Sequence, residues 1–347
     1  MSEKSIDLRS DTVTKPTPEM REVMAKAPVG DDVFGEDPSI NELQEKAAAL
    51  LGHEQALFVP SGTMANQIAI KVLTRPGDEV LLEAGSHPFN SESGGAAVIS
   101  SVQLYTLTGE RGLLKPEQIE AAIRPDNIHY APTRLVCLEN THNRGGGSIY
   151  PLEKVSAIRQ IAQAHGLVMH LDGARLFNAC VATGLEPADY GKYIETVSFC
   201  LSKGLGAPVG SLICGSKPII KEALRWRKVL GGGMRQAGIL AAAGIYALDH
   251  HVDRLSEDHA NAKFLAQGLA EKDGIEIDPS EVETNILIFK VTHPRLNAPD
   301  LADRLMRHGV LVLPMGTDQI RGVTHLDLNR ADMERALAVM DTVLKEA

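Results

Sequence analysis

Helical and strand-like patterns alternate along the chain from about residue 39 onward. Ser39 and Glu42 stand at capping-box spacing, Leu43, Ala47 and Leu50 recur at helical spacing, and Gly52 closes this first predicted helix. Short apolar runs bounded by turn residues follow at 56–60, 79–83, 102–107, 134–140, 167–172 and 196–202. They are rich in Val, Ile and Leu and do not alternate with polar positions, as expected of strands buried on both faces. Helical stretches lie between them, such as 152–165 with its stripe of Val155, Ile158, Ile161 and Ala162. This alternation predicts an α/β fold with a large, mainly parallel sheet and helices on both faces.

The pattern changes after a long helical region over about 233–272, with Leu240, Ile245, Leu248 and Leu255 among its apolar positions. Strand-like 285–291, helix-like 298–308, strands near 310–313 and 322–328, and a final helix from Arg330 predict a smaller C-terminal α/β unit. The expected organisation is an N-terminal arm over 1–29 packed on a large domain over 30–250, followed by a small domain over 251–347.

Composition narrows the class. The 347 residues carry 35 Lys+Arg against 45 Asp+Glu, a formal net charge of −10. A nucleic-acid binder needs a basic face to neutralise phosphates, so that partner is excluded. With aromatics at 4%, little surface is available for stacking bases. No apolar run approaches the ~20 residues that span a bilayer, so no membrane partner is expected. The opening Met1-Ser-Glu-Lys-Ser5 lacks the basic-then-apolar pattern of a secretory signal. Cys137, Cys180, Cys200 and Cys214 stand singly inside apolar segments and read as reduced core residues. These bounds predict a cytoplasmic enzyme acting on a small molecule.

Lys203 is the only charged residue between Glu195 and Lys217, at the end of a predicted strand and before a glycine-rich turn. Most lysines are solvated surface groups. A lone lysine in a small, apolar segment is instead desolvated, which favours the neutral amine that Schiff-base chemistry needs. Gly204 and Gly206 are read as leaving room for a planar ring beside the backbone. Such a cofactor also requires an anion for its ring nitrogen, a phosphate cup and a stacking group. Asp172, in His170-Leu-Asp172-Gly-Ala-Arg175, ends a predicted strand 31 residues before Lys203. It is a candidate for the ring nitrogen, or simply a cap for the turn before Ala174. Ser61-Gly62-Thr63 opens a helix whose N–H groups are placed to hold a phosphate. His87 follows the strand at 79–83 and is the candidate stacking group.

Rival chemistries fail on spacing. Gly204-Leu-Gly206-Ala-Pro-Val-Gly210 superficially matches a dinucleotide fingerprint, but Pro208 interrupts it and no helical pattern follows. Neither H-E-x-x-H nor paired C-x-x-C occurs, so no metal is expected.

Taken together, these blocks resemble the L-threonine aldolases, pyridoxal 5'-phosphate enzymes of the aspartate-aminotransferase fold. The likeness is carried by Ile6–Thr17, Gly30–Pro38, Phe58–Thr63, Leu138-Glu-Asn-Thr-His-Asn143, Asp172–Arg175, Leu201–Gly204 and Gly231-Gly-Gly-Met-Arg-Gln236. The resemblance implies that Lys203 carries the cofactor as a Schiff base, Asp172 pairs with its ring nitrogen, and His87 stacks on it and is a candidate base. Gly62 and Thr63 would hold the phosphate, with Lys228 and Arg235 reaching it from a neighbouring subunit. Ser10, Arg175 and Arg321 match positions that grip the substrate carboxylate, Arg175 also lying beside the cofactor. His129 matches a histidine near the substrate hydroxyl, and Glu92 a carboxylate near the cofactor. Ser91 departs from the family, which usually places an aromatic ring there, so a roomier side-chain pocket is expected. The implied reaction is reversible cleavage of L-threonine, L-allo-threonine and related β-hydroxy-α-amino acids to glycine and an aldehyde. The implied assembly is a homo-oligomer, a tetramer built from dimers with shared sites.

Overall fold

Seven strands build the main sheet in the computed structural model, which describes residues 5–346; residues 1–4 of the arm, most of the opening read above for a secretory signal, and residue 347 lie outside the described residues. They are β1 (Gln55–Val59), β2 (Glu79–Glu83), β3 (Gln103–Leu107), β4 (Thr133–Glu139), β5 (Val168–Asp172), β6 (Thr196–Cys200) and β7 (Ser211–Gly215). Their order is β1-β7-β6-β5-β4-β2-β3. The run from β6 through β5, β4 and β2 to β3 is parallel, while β7 pairs antiparallel with both β1 and β6. Every residue of β2, β6 and β7 is buried, which explains why apolar and polar positions do not alternate along them. The sequence pattern does not assign β7, whose five residues follow directly on the glycine-rich turn after Lys203. All four cysteines are buried thiols, as expected.

A second, four-stranded antiparallel sheet lies in the C-terminal part: Leu313–Pro314, Gln319–Val323, Ile286–Val291 and Ile275–Glu276, in that order. It has its own core, including Leu287, Phe289, Leu301 and Met333. The arm joins both parts. Ile6–Asp7 pairs with Val310–Leu311, whereas the helix Pro18–Lys26 packs on Gly238–His250. Between them, Ser10 and Asp11 are carried to the C-terminal edge of the parallel strands, where open α/β sheets bind ligands.

Several local expectations need correction. The helix expected from residue 39 spans Pro38–Leu51, and its cap is Asp37, whose carboxylate accepts from the Ile40 N–H at 3.1 Å. Ser39 is two residues too late to cap and instead donates its hydroxyl proton to the Pro28 carbonyl. The stop at Gly52 holds, with φ at +67°. The region 233–272 is two helices, Gly238–His250 and Leu255–Ala270. They are separated where the His251 ring bonds the Leu205 carbonyl at 2.7 Å. The strand expected at 322–328 is Gln319–Val323, and an amphipathic helix at Lys217–Val229 was not anticipated.

Candidate active site

A cavity of about 200 Å³ opens at the C-terminal ends of the parallel strands. The predicted residues Ser10, Gly62, His87, Ser91, Asp172, Arg175, Lys203 and Arg321 line it. Positions separated by more than 300 residues therefore meet: members from the main sheet end strands or open turns at one edge, the arm supplies Ser10, and the second sheet supplies Arg321 from the middle of Gln319–Val323. Asp172 is the last residue of β5, Lys203 follows β6, and His87 opens a short helix after β2. Ser61 caps the helix Gly62–Leu73 by accepting from the Met64 N–H, so the helix N-terminus points into the same space. A Cβ at Gly62 would meet Cys200 Sγ at 2.8 Å, so only glycine permits this close approach of helix to strand.

Lys203 enters the hydrogen-bond network through its backbone, whose carbonyl accepts from Thr14 Oγ1 at 3.0 Å and from the Gly206 N–H at 2.9 Å. The two glycines after it do not make room for a ring. A Cβ at Gly204 would meet Leu255 at 3.0 Å, and one at Gly206 would meet Leu326 at 2.5 Å. Their smallness admits neighbouring protein, and Gly206 supplies the turn with φ at +78°.

The buried carboxylates form a connected floor. Asp172 accepts from Asn66 Nδ2 at 2.7 Å and also caps the following turn by accepting from the Ala174 N–H at 3.1 Å, so the capping reading of this residue holds. Glu92 lies beneath His87, with Oε1 2.7 Å from the ring Nδ1, and it also accepts from Asn66 and Gln67. The hydrogen bond to Glu92 raises the His87 pKa above its ordinary value, against the opposing effect of burial. Glu139, at the end of β4, accepts from the His87 N–H at 2.7 Å through one oxygen and from the Asn143 N–H at 2.8 Å through the other.

Two arginines form the opposite wall. Arg175 is engaged by Asp11 through two hydrogen bonds of 2.7 Å. Arg321 donates to Asn143 Oδ1 at 2.8 Å and to the Arg9 carbonyl at 3.0 Å. Its buried Nε has no partner among the described residues. Burial, helped by the charge of Arg175, brings the Arg321 guanidinium down to about 10.

Of the five predicted residues that do not line the cavity, Glu92 lies beneath His87 and the other four are exposed. His129 is exposed on the connection leading to β4, Lys228 is exposed near the end of its helix, Arg235 pairs with Asp31 at 2.9 Å, and Thr63 is exposed on the first turn of its helix. Asp11, Asn66, Glu139 and Asn143 were not singled out. Asn66 and Gln67 did carry a signal, being two amides inside the buried stretch Ala65–Ile70.

A strand-end amine, an ionisable imidazole on a buried carboxylate, and an arginine with an unused buried donor define an enzyme site for a small anionic substrate. The beta-eliminating lyase family matches residues 7–292. The low specificity L-threonine aldolase of Escherichia coli (strain K12) is 45% identical over 334 residues, covering 96% of this chain and 97% of that protein. Low-specificity L-threonine aldolase 1 of Arabidopsis thaliana is 44% identical over 340 residues, 96% and 95% of the two chains. The solved threonine aldolase of Leishmania major shares the fold at a TM-score of 0.83 and 22% identity, over 98% of this chain and 99% of that one. The chain belongs to the beta-eliminating lyase family, among the low-specificity L-threonine aldolases.

Proposed function

We propose that this protein cleaves L-threonine, L-allo-threonine and related β-hydroxy-α-amino acids to glycine and an aldehyde, with pyridoxal 5'-phosphate as cofactor. The observation that carries the reading is the convergence of Lys203, Asp172, His87 and Arg321 on one cavity. The donor set suits this cofactor: an amine, a buried carboxylate, a helix N-terminus for a phosphate, and an unpaired buried guanidinium nitrogen. Lys203 would bind it covalently, Asp172 would face its ring nitrogen, His87 its ring, and Gly62 with Thr63 its phosphate. Bound there, the cofactor supplies a sink for the electron pair released at the substrate α-carbon.

The chain's own residues do the rest. Arg321, through its unused Nε, and Ser10 hold the substrate carboxylate, which fixes rotation about the N–Cα bond and aligns the Cα–Cβ bond for cleavage. Arg175 contributes its remaining Nη1 edge. Glu92 holds His87 through Nδ1, leaving Nε2 to take the β-hydroxyl proton as the carbon–carbon bond breaks. That favours His87 over the exposed His129 as the base within one chain. Ser91 lines the cavity with a small side chain and leaves space for bulky β-substituents.

The assembly we propose is a homotetramer of dimers, in which a second copy brings Lys228, Arg235 and His129 toward the cavity. Its support is the exposed apolar surface beside those cations: Phe34 is 73% exposed and Val229 63%. The molar mass in solution tests it, and a monomer as the active species would refute it. The compartment we propose is the cytoplasm; among the described residues no helix is long and apolar enough to cross a membrane. The reaction is tested by steady-state rates on L-threonine, L-allo-threonine and phenylserine, with the D-isomers as controls. Aldehyde release from the L-substrates, phenylserine included, is expected. Transamination without aldehyde would overturn the reading.

A further inference from the structure

Asn66 lies on the second turn of the helix Gly62–Leu73, almost wholly buried, and touches four polar side chains. Its Nδ2 is 2.7 Å from Asp172 Oδ2 and 2.8 Å from Glu92 Oε1. Its Oδ1 is 2.9 Å from Ser198 Oγ and 3.1 Å from His170 Nε2. Ionised carboxylates only accept hydrogen bonds, so the amide must turn its two hydrogens toward Asp172 and Glu92. Ser198 and His170 then have to donate to Oδ1. Burial brings His170 down to about 4, so the ring is neutral; with its proton on Nε2 toward Asn66, Nδ1 accepts from Thr196 Oγ1 at 2.9 Å, the Thr196 carbonyl lying 3.0 Å from the same nitrogen. Every donor and acceptor of the Asn66 carboxamide is used. No other side chain of this length offers two donors on one side and two acceptor sites on the other.

We infer that Asn66 is a positioning residue: with the two hydrogens of one nitrogen it fixes Asp172 and Glu92 relative to each other, so that the carboxylate beneath His87 and the carboxylate of the cofactor site act as one unit. The inference rests on the roles proposed above for Asp172 and His87. The charged groups facing His87 are Glu92, Asp172 and Lys203, with Glu139 at its backbone N–H. Gln67 gives an internal contrast. It donates to Glu92 Oε2 at 2.5 Å and makes no hydrogen bond to Asp172 among the described residues.

The test compares Asn66→Leu, Asn66→Asp and Gln67→Leu in the full chain. The first readout is the His87 titration midpoint, followed by NMR with labelled histidine after removal of the cofactor. Loss of a donor concentrates charge on Glu92, so the midpoint rises in Asn66→Leu and in Gln67→Leu. The second readout is the pH dependence of the visible absorbance of the cofactor-loaded protein. It shifts in both Asn66 variants and stays in place in Gln67→Leu. Turnover should fall at least about tenfold in Asn66→Asp with KM changed less than about threefold, since a positioning loss acts on the reacting state more than on binding. If Asn66→Leu fails to fold, Asn66→Asp, which keeps the shape, carries the test. Unmoved midpoints in a folded Asn66 variant overturn the inference, as does a Gln67→Leu shift of the visible band equal to that of Asn66→Leu. Absence of a visible band in the unsubstituted protein would instead refute the cofactor reading, and unmoved His87 midpoints would still overturn the role of Asn66.

Discussion

Asp11 and Arg175 close on each other through two hydrogen bonds of 2.7 Å, Nε to Oδ2 and Nη2 to Oδ1, with no more than 5% of either side chain exposed. The pair links the N-terminal arm to the turn after β5, although 164 residues separate its members. It also spends one edge of the Arg175 fork, and the remaining Nη1 lies 3.4 Å from Asn143 Oδ1. A cation already neutralised by a carboxylate is a poor anchor for a second one. Arg321, whose nearest acceptors are an amide and a backbone carbonyl, keeps its charge available.

Removing Asp11 is expected to destabilise the protein strongly. Asp11→Ala leaves the buried Arg175 guanidinium unpaired, and breaking a buried pair in this way costs about 3–5 kcal/mol. Burial alone would raise the Asp11 carboxyl, but Arg175 outweighs it and brings it to about 2. A depressed carboxyl contributes stability that is present above its unfolded value near 4 and lost as pH falls toward the folded value. Denaturant unfolding between pH 5 and pH 2 should therefore show the wild-type advantage over Asp11→Ala shrinking toward acid. A constant difference across that window would contradict the pairing.

Arg321→Ala is expected to raise KM for L-threonine by roughly 10- to 100-fold, the worth of a charge-assisted hydrogen bond to a carboxylate. The visible absorbance of bound cofactor should persist, since the residue acts on substrate. Steady-state kinetics and a spectrum of the same preparation check both. A KM unchanged from wild type would move the carboxylate anchor to Arg175.

Glu92 accepts a hydrogen bond from His87 Nδ1–H and so favours the protonated ring, and the histidine becomes a competent base only as pH rises through its raised pKa. Glu92→Gln removes the charge while keeping an acceptor. The acid limb of kcat/KM should move to lower pH. Movement to higher pH, or none, would show that another group governs that limb.

Much of this arrangement is legible in the sequence, for identifiable reasons. Strands buried on both faces announce themselves as apolar runs, and the groups that end them, Asp172 and Lys203, stand out as charges in apolar surroundings. Their meeting in one cavity follows from parallel topology, which brings strand ends to one edge. What escaped reading were partners, because a partner is a relation across the chain. Asp11 sat inside a quoted motif, but its bond to Arg175 spans both parts of the molecule. Asn66 shows in the sequence only as an amide in a buried helical stretch, and its partners Asp172, Glu92, His170 and Ser198 come from other elements. The glycines after Lys203 misled for the same reason: smallness in a sequence does not say what fills the space.

The central claim is that Lys203 carries the cofactor and the reaction, and one measurement bears on it most directly. Purified Lys203→Ala is compared with the unsubstituted protein for visible absorbance and for acetaldehyde release from L-threonine. The variant is expected to fold, to lose the absorbance bleached by borohydride in the unsubstituted protein, and to retain almost no turnover. A Lys203→Ala protein that still releases acetaldehyde at a rate close to the original would contradict it.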